Sequence, residues 1–449
     1  MSNNDVRSCC YPARNEAIPE VTGFIETTAS RHGFTPQASM KLQLAVEEIV
    51  QYIAGTAPGQ MLTFMLQTWA NHMTLLVELA ADAVDLRIFN LTWKTDLESQ
   101  ASLNAMGLNL AARYADRFAL SQTENGMLRF QFGVDREIPD MASVTTPPAP
   151  FSHWRLTRPR AQHMPMCHAL AARCLGRFKN LPSLIHVGRL HNLCLHDELN
   201  GAVAVSDQDQ VVGCALSARG QDGLTSFFGP FVSLSCSTEE RQRMAVSLTE
   251  YALEQTARKN IPGMYCLFND PDCFPAHYFT RIGKMALLCR DGSREHVPAH
   301  YFPLRDDPGA DLYFHPLVQD FLQARIREQY LSRQMIDASP LHQEICSKHP
   351  HTVLGVDMDP KSLTVRMHLL MYGADVVTIL DDHLRLFAQK GMRTLLFTTD
   401  LSRPSHALIL PHLLERGFET AVFVPLGNQG GDQLVLQCCR DENGEGEPS

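Results

Sequence analysis

A mixed α/β (α+β) fold in three parts is what this sequence predicts, on three observations. Amphipathic helical stretches alternate with short strand-like runs along all 449 residues. A helix–strand–helix–strand series occurs twice, 131 residues apart. Two stretches rich in Pro, Gly, Asp, Ser or Thr, 140–150 ("DMASVTTPPAP") and 303–312 ("PLRDDPGADL"), interrupt the pattern. The length suits about three domains of roughly 150 residues each.

Composition narrows the class. The chain is 45% apolar and 20% charged, as globular proteins are. No apolar run reaches about 18 residues, so no membrane span is expected. The stretch "MSNNDVRSCCYPARNEAIPE" lacks the apolar centre of a secretory signal, and a cytoplasmic location is expected. A net charge of −10 and a pI near 6.0 argue against general binding to nucleic acid or acidic membrane. The thirteen cysteines form no C-x-x-C pair and read as reduced thiols. His163, His168, His186, His191 and His196 have spacings of 5, 18, 5 and 5, not the i, i+4 pairing of a helical metal site.

The elements follow in order. "VTGFIETTASRHG" (21–33) has helical periodicity and stops at Gly33. "TPQASMKLQLAVEEIVQYIAG" (35–55) is a second helix, with Thr35 as cap and Gly55 at its end. "QMLTFMLQTW" and "HMTLLVELAA" form a hairpin. "NLAARYADRF" is a helix and "GMLRFQFGV" a strand.

The second part begins with the strand "WRLTRP" and the helix "RAQHMPMCHALAARC". "ELNGAVAVSDQDQVVGCALSAR" (198–219) is a hairpin, and "GLTSFFGPFVSL" a further strand. "TEERQRMAVSLTEYALEQTARKN" is a long amphipathic helix leading to the strand "GMYCLFND". In the repeat, Leu253, Ala257, Lys259 and Ile261 match Leu384, Ala388, Lys390 and Met392. Pro275 to His277 and Pro404 to His406 then open another helix in each copy, before "RIG" or "ERGF". The expected domains are 1–139, 151–305 and 306–440, with 441–449 a disordered tail. The second and third are expected to share one core, since half a sheet alone would leave an open edge.

Residues 15–134 resemble the ATP-binding domain of the anti-sigma-factor serine kinases, within the GHKL (histidine kinase-like) ATPase superfamily. The landmarks are "LAVEEIVQYIA" (44–54), "MGLNLAARYADRF" (106–118) and "ENGMLRFQF" (124–132). The resemblance implies an α/β sandwich that takes ATP and Mg²⁺. It implies Glu48 to orient the attacking group, Gly107, Leu108 and Asn109 near the phosphates, Asp82 on the adenine, and an aspartate at Asp116. The implied partner is a sigma factor or an anti-sigma antagonist. The family's Mg²⁺-binding asparagine is replaced by Tyr52, and Gln51 offers an amide only one register away, roughly 100° around the helix. Asp82 lacks its following glycine, and Asn109 replaces another. Three departures favour a frame whose ATP use has been lost.

Residues 151–291 resemble the GNAT acyltransferase fold, with "VVGCAL" in its strand–turn–strand position. Residues 351–437 resemble that fold's second half. The resemblance implies acetyl-CoA or another acyl-CoA, held by its diphosphate on backbone N–H groups at the start of the long helix. "RQRMAV" is the matching loop. It supplies Arg241 and Arg243, but Met244 replaces the first glycine; a slipped register brings in Ala245. Tyr278 stands where these enzymes place a general acid. In the third part "YGADVVTILDDHL" has no such loop. The reading placed first is a regulatory, partner-binding protein. The alternatives are an acyl-CoA-dependent N-acyltransferase governed by the first domain, and an ATP-dependent protein-serine kinase.

Overall fold

The computed structural model describes residues 6–80, 84–93, 100–123, 127–138, 141, 148–179, 186–219, 225–259, 261–348, 350–428 and 431–440. It is a mixed α/β structure. The chain divides into two compact units. The first takes residues 1–138, 343–358 and 365–391, and the second takes 139–342, 359–364 and 392–449.

The chain opens with β1 (Val6–Pro12), α1 (Ile18–Arg31), α2 (Pro36–Thr56), β2 (Met61–Thr68) and β3 (His72–Leu79). Then come α3 (Gln100–Tyr114), β4 (Arg117–Gln122), β5 (Leu128–Asp135), β6 (Trp154–Thr157), α4 (Met164–Leu175) and α5 (Val187–Leu195). The middle holds β7 (Leu199–Ser206), β8 (Val211–Arg219), β9 (Thr225–Val232), α6 (Thr238–Ala257), β10 (Gly263–Phe268), β11 (Thr280–Leu288) and β12 (Arg294–Pro303). After β13 (Ala310–Phe314) follow α7 (Gln319–Glu328), β14 (Arg333–Asp337), α8 (His342–Lys348), β15 (Val353–Asp359) and β16 (Thr364–Met371). The last elements are α9 (Val376–Gln389), β17 (Thr394–Asp400), α10 (Pro404–Leu408), α11 (Leu410–Leu414), β18 (Glu419–Asn428) and β19 (Gly431–Cys439).

In the first unit an antiparallel sheet runs in the order β1-β2-β3-β5-β4. Thr35 caps α2, accepting from the Ala38 N–H at 3.3 Å, and Pro36 fills the first turn, where no donor is needed. Leu42, Ala45, Val46, Ile49, Val50 and Ile53 recur at helical spacing and are fully buried or nearly so. They share one core with the inward residues of β2, Leu62, Phe64 and Leu66, and with Phe130 and Phe132 of β5. The helix expected over 109–118 ends at Tyr114 instead. Asp116 breaks it by accepting from the Asp135 N–H at 2.7 Å while pairing with Lys41, so β4 starts at Arg117 and closes the sheet edge.

In the second unit a mixed sheet runs β17-β19-β18-β11-β12-β10-β9-β8-β7-β6. The internal repeat appears as topology. β10 pairs antiparallel with β12, the second strand of the β11–β12 hairpin; β17 pairs the same way with β19 of the β18–β19 hairpin. The copies join where β11 meets β18 at Gly283 and Val422. Gly283 has φ +146°, and a side chain there would strike the Ala421 carbonyl. Gln437 ties the joint, its amide donating to the Ala286 carbonyl at 2.6 Å and accepting from the Ala286 N–H at 2.8 Å. The helix expected after Pro275 is only a 3-10 turn, Ala276–Tyr278. Pairing of the following residues with both β12 and β18 makes them a strand; tertiary pairing overrides local preference here.

Candidate functional site

In the first unit the structure brings Glu48 and Gly107 together. The α2–α3 packing sets the Glu48 carboxylate against Gly107, where a Cβ would collide with it. Burial and then the charge of Glu47 raise the Glu48 pKa above the usual carboxylate value. Tyr52, four residues on, is 8% exposed, and its hydroxyl accepts from the Asp85 N–H at 3.3 Å. Its oxygen is therefore engaged with backbone. Gln51 is exposed, on a different side of α2 from Tyr52. Leu108 is fully buried, and buried Asn109 donates to the Ile88 carbonyl. Asp116 is taken by Lys41 and the Asp135 amide. Asp82 lies outside the described residues.

In the second unit the parallel strands β9 and β10 pair from Thr225 and Met264 to Phe228 and Phe268, and pair no further. Helix α6 crosses this region with Met244, Ala245, Leu248 and Ala252 buried against Ala202, Val212 and Phe227. Ser237 caps it by accepting from the Glu240 N–H at 3.2 Å. Residues 241–245, matched by sequence to the diphosphate loop, lie inside the helix. The Arg241 N–H donates to the Ser237 carbonyl at 2.9 Å. Met244 is fully buried core, with its sulfur over Gly213.

The arginines have partners. Arg241 pairs with Asp270 at 3.0 Å, just beyond the last paired residue of β10, with side chains 13% and 6% exposed. Arg243 pairs with Glu240 at 2.5 Å, and the Trp154 indole donates to Glu240 at 2.6 Å. These two partners hold the Glu240 carboxyl below its ordinary range, Trp154 contributing most. A cavity of about 350 Å³, lined by Ser152, His153, Trp154, Glu240, Arg243 and Ser247, opens at this point. The first turn of α6 carries Glu239 and Glu240, so its positive end already faces two carboxylates.

Tyr278 donates to Glu250 on α6, and this bond raises its pKa. A phenol held as donor to a carboxylate is a weaker acid than a free one. Sequence reasoning missed Asp270. Its signal was the pair "ND" at the end of the apolar run "GMYCLF", a carboxylate at a buried strand end that needs a cation. Cys174 and Cys273 sit beside it, and burial pushes the Cys174 thiol up to about 12, which makes it a poor nucleophile. Asp85, whose amide meets Tyr52, had no sequence signal.

No protein-family model matches the chain, and no curated protein matches it. Solved structures are similar over about a third of it. A GNAT-family acetyltransferase from Staphylococcus aureus Mu50 is 12% identical, covers 34% of this chain and 100% of its own, with TM-score 0.26. A GNAT-superfamily phosphinothricin acetyltransferase from Sinorhizobium meliloti, in complex with AcCoA, is 11% identical over 33% of this chain and 88% of its own, with TM-score 0.28. Spermidine N-acetyltransferase from Vibrio cholerae, in complex with CoA and spermine, is 13% identical over 34% and 95%, with TM-score 0.26.

Proposed function

We propose that this chain acts by binding a protein partner rather than by turnover. One observation carries this reading. Arg241, the cation that would meet a CoA diphosphate, is committed to buried Asp270 where β9 and β10 stop pairing. A buried pair is costly to break from either side, roughly 3–5 kcal/mol when one partner is removed. The acidic first turn of α6 adds repulsion for a phosphate. In the first unit the Tyr52 hydroxyl is likewise taken by the Asp85 N–H, which supports a frame used for contact. The resemblance to anti-sigma kinases suggests a sigma factor or an anti-sigma antagonist as the partner.

Calorimetry of the whole chain with Mg-ATP, acetyl-CoA and CoA tests the ligand side. No saturable heat below about 0.1 mM is expected, because losing two charged hydrogen bonds of roughly 1.5–3 kcal/mol each shifts a micromolar ligand by two to four powers of ten. Co-elution with a purified sigma factor or anti-sigma antagonist of the host tests the partner side.

The second reading is an acyl-CoA-dependent N-acyltransferase. The run of β9 on to Val232, past its last pairing with β10 at Phe228, favours it, since that edge leaves backbone groups for an extended acyl-pantetheine arm. Micromolar acetyl-CoA affinity would establish this reading in place of the first.

A further inference from the structure

Residues 84–93, between β3 and α3, are fastened to a distant stretch of the same compact unit. Asn90 is 2% exposed; its amide donates to the Thr352 carbonyl at 2.8 Å and accepts from the Leu354 N–H at 3.0 Å. These partners are 262 and 264 positions away. The side chain thus reads both backbone groups flanking Val353, which is fully buried in the same apolar cluster as Val84, Leu86, Ile88 and Tyr52. The far side is pinned as well. Asp375 accepts from the Thr352 N–H at 2.5 Å and meets His351 at 3.0 Å, while the Thr352 hydroxyl exchanges hydrogen bonds with Gly373. On the near side the Asp85 amide meets Tyr52, and Asn109 holds the Ile88 carbonyl.

We propose that 84–93 and 351–354 form a latch, which opens as one cooperative piece and uncovers the Tyr52 side of α2 while the sheet stays folded. The buried centre holds Val84, Leu86, Ile88 and Asn90 on one side and Thr352, Val353 and Leu354 on the other. Around it stands a solvated rim, Asp85 and Arg87 at 40% and 51% side-chain exposure and His351 and Asp375 at 43% and 31%. Parting the two sides exposes these buried residues but not the larger core of α2, β2, β3 and β5, so the opening costs less than global unfolding. Both sides share the same two Asn90 bonds, so neither opens alone. The latch is a property of this unit and does not depend on the partner-binding role.

Native-state hydrogen exchange of the full chain tests it. Peptides covering 84–93 and 351–355 are expected to exchange with one common opening, at least about tenfold faster than β2 and β3. Asn90→Ala should speed both by a further factor of about ten or more, with β2 and β3 unchanged. Acceleration on one side only, or equal acceleration in β2 and β3, overturns the latch. If Asn90→Ala does not fold, Asp375→Asn at the rim takes its place. It should give the same paired rise at smaller size, and an unpaired rise or none overturns the proposal.

Discussion

The Glu48 carboxylate fills the space that a Cβ on Gly107 would need. One letter in α3 therefore determines where an acid in α2 can sit. Two effects compete when Gly107 becomes alanine. Helix propensity favours alanine by about 1 kcal/mol, while overpacking costs about 1–3 kcal/mol. Gly107→Ala is expected to be neutral to destabilising alone and stabilising by about 1 kcal/mol in a Glu48→Ala background. Denaturant unfolding of the four proteins gives the cycle. Equal effects in both backgrounds would mean that the carboxylate moves aside freely.

How much of this was legible in the sequence depends on whether the cause was local. Thr35 and the 3.6-residue spacing of Leu42, Ala45, Val46 and Ile49 fix α2 by themselves, and α2 runs to within a residue of its expected end. The repeat was legible because matched residues at spacing 131 reflect matched packing, and β10 and β17 start 131 residues apart. Where pairing with a distant strand decides, the local signal fails. Thr280–Leu288 became β11 through its pairing with β12 and β18. Asn90 and Asp270 have partners that only folding brings near.

Tyr52→Phe isolates the hydroxyl that meets Asp85. It removes the bond to the Asp85 N–H and should cost about 0.5–1.5 kcal/mol, as one buried hydrogen bond does. Tyr52→Asn introduces the amide that the sequence resemblance to anti-sigma-factor kinases would call for at this position. If the frame is otherwise intact, Mg-ATP affinity should rise above that of the natural chain, as read by calorimetry. No rise would mean that the other departures suffice to exclude ATP.

His300 predicts a pH dependence of stability. It is 8% exposed against Phe274 at 4.8 Å, its Nδ1 has no partner among the described residues, and burial with the charge of Arg281 lowers its pKa from 6.5 to about 4. The folded state resists a proton that the unfolded state accepts. Stability contributed by this group is complete above pH 6.5 and falls as pH drops from there toward 4, by at most about 3 kcal/mol. His300→Phe should flatten that part of the curve in pH-dependent urea melts. An unchanged slope would assign the loss to other groups.

The joint between the repeats should be costly to loosen. Gln437→Ala leaves both the Ala286 N–H and its carbonyl without their side-chain partner, at about 1–3 kcal/mol for each group left unpaired. Residues 303–312 are also tied down: the Arg305 N–H donates to Pro262, and Asp307 pairs with buried Arg333 at 2.7 Å. Limited proteolysis should therefore spare this stretch and cut first within 140–150. Early cleavage at 303–312, releasing two stable fragments, would contradict a common core.

Arg241 and Asp270 give the sharpest separation of the two functional readings. Arg241→Ala strands a carboxylate 6% exposed at the end of β10, and Asp270→Ala strands the cation; each should cost about 3–5 kcal/mol. Replacing both by leucine removes the charges together and should recover most of that loss. If the pair is only structural, the double variant keeps the partner binding of the natural chain and none of the proteins binds acetyl-CoA. If Arg241 instead serves a CoA diphosphate, the natural chain binds acetyl-CoA at micromolar concentration and Arg241→Ala loses it. Asp270→Asn, which frees the guanidinium from its counter-charge while keeping a hydrogen-bond acceptor, should then bind more tightly. A gain of acetyl-CoA affinity in Asp270→Asn with none in the natural chain would identify the ion pair itself as what shuts the site.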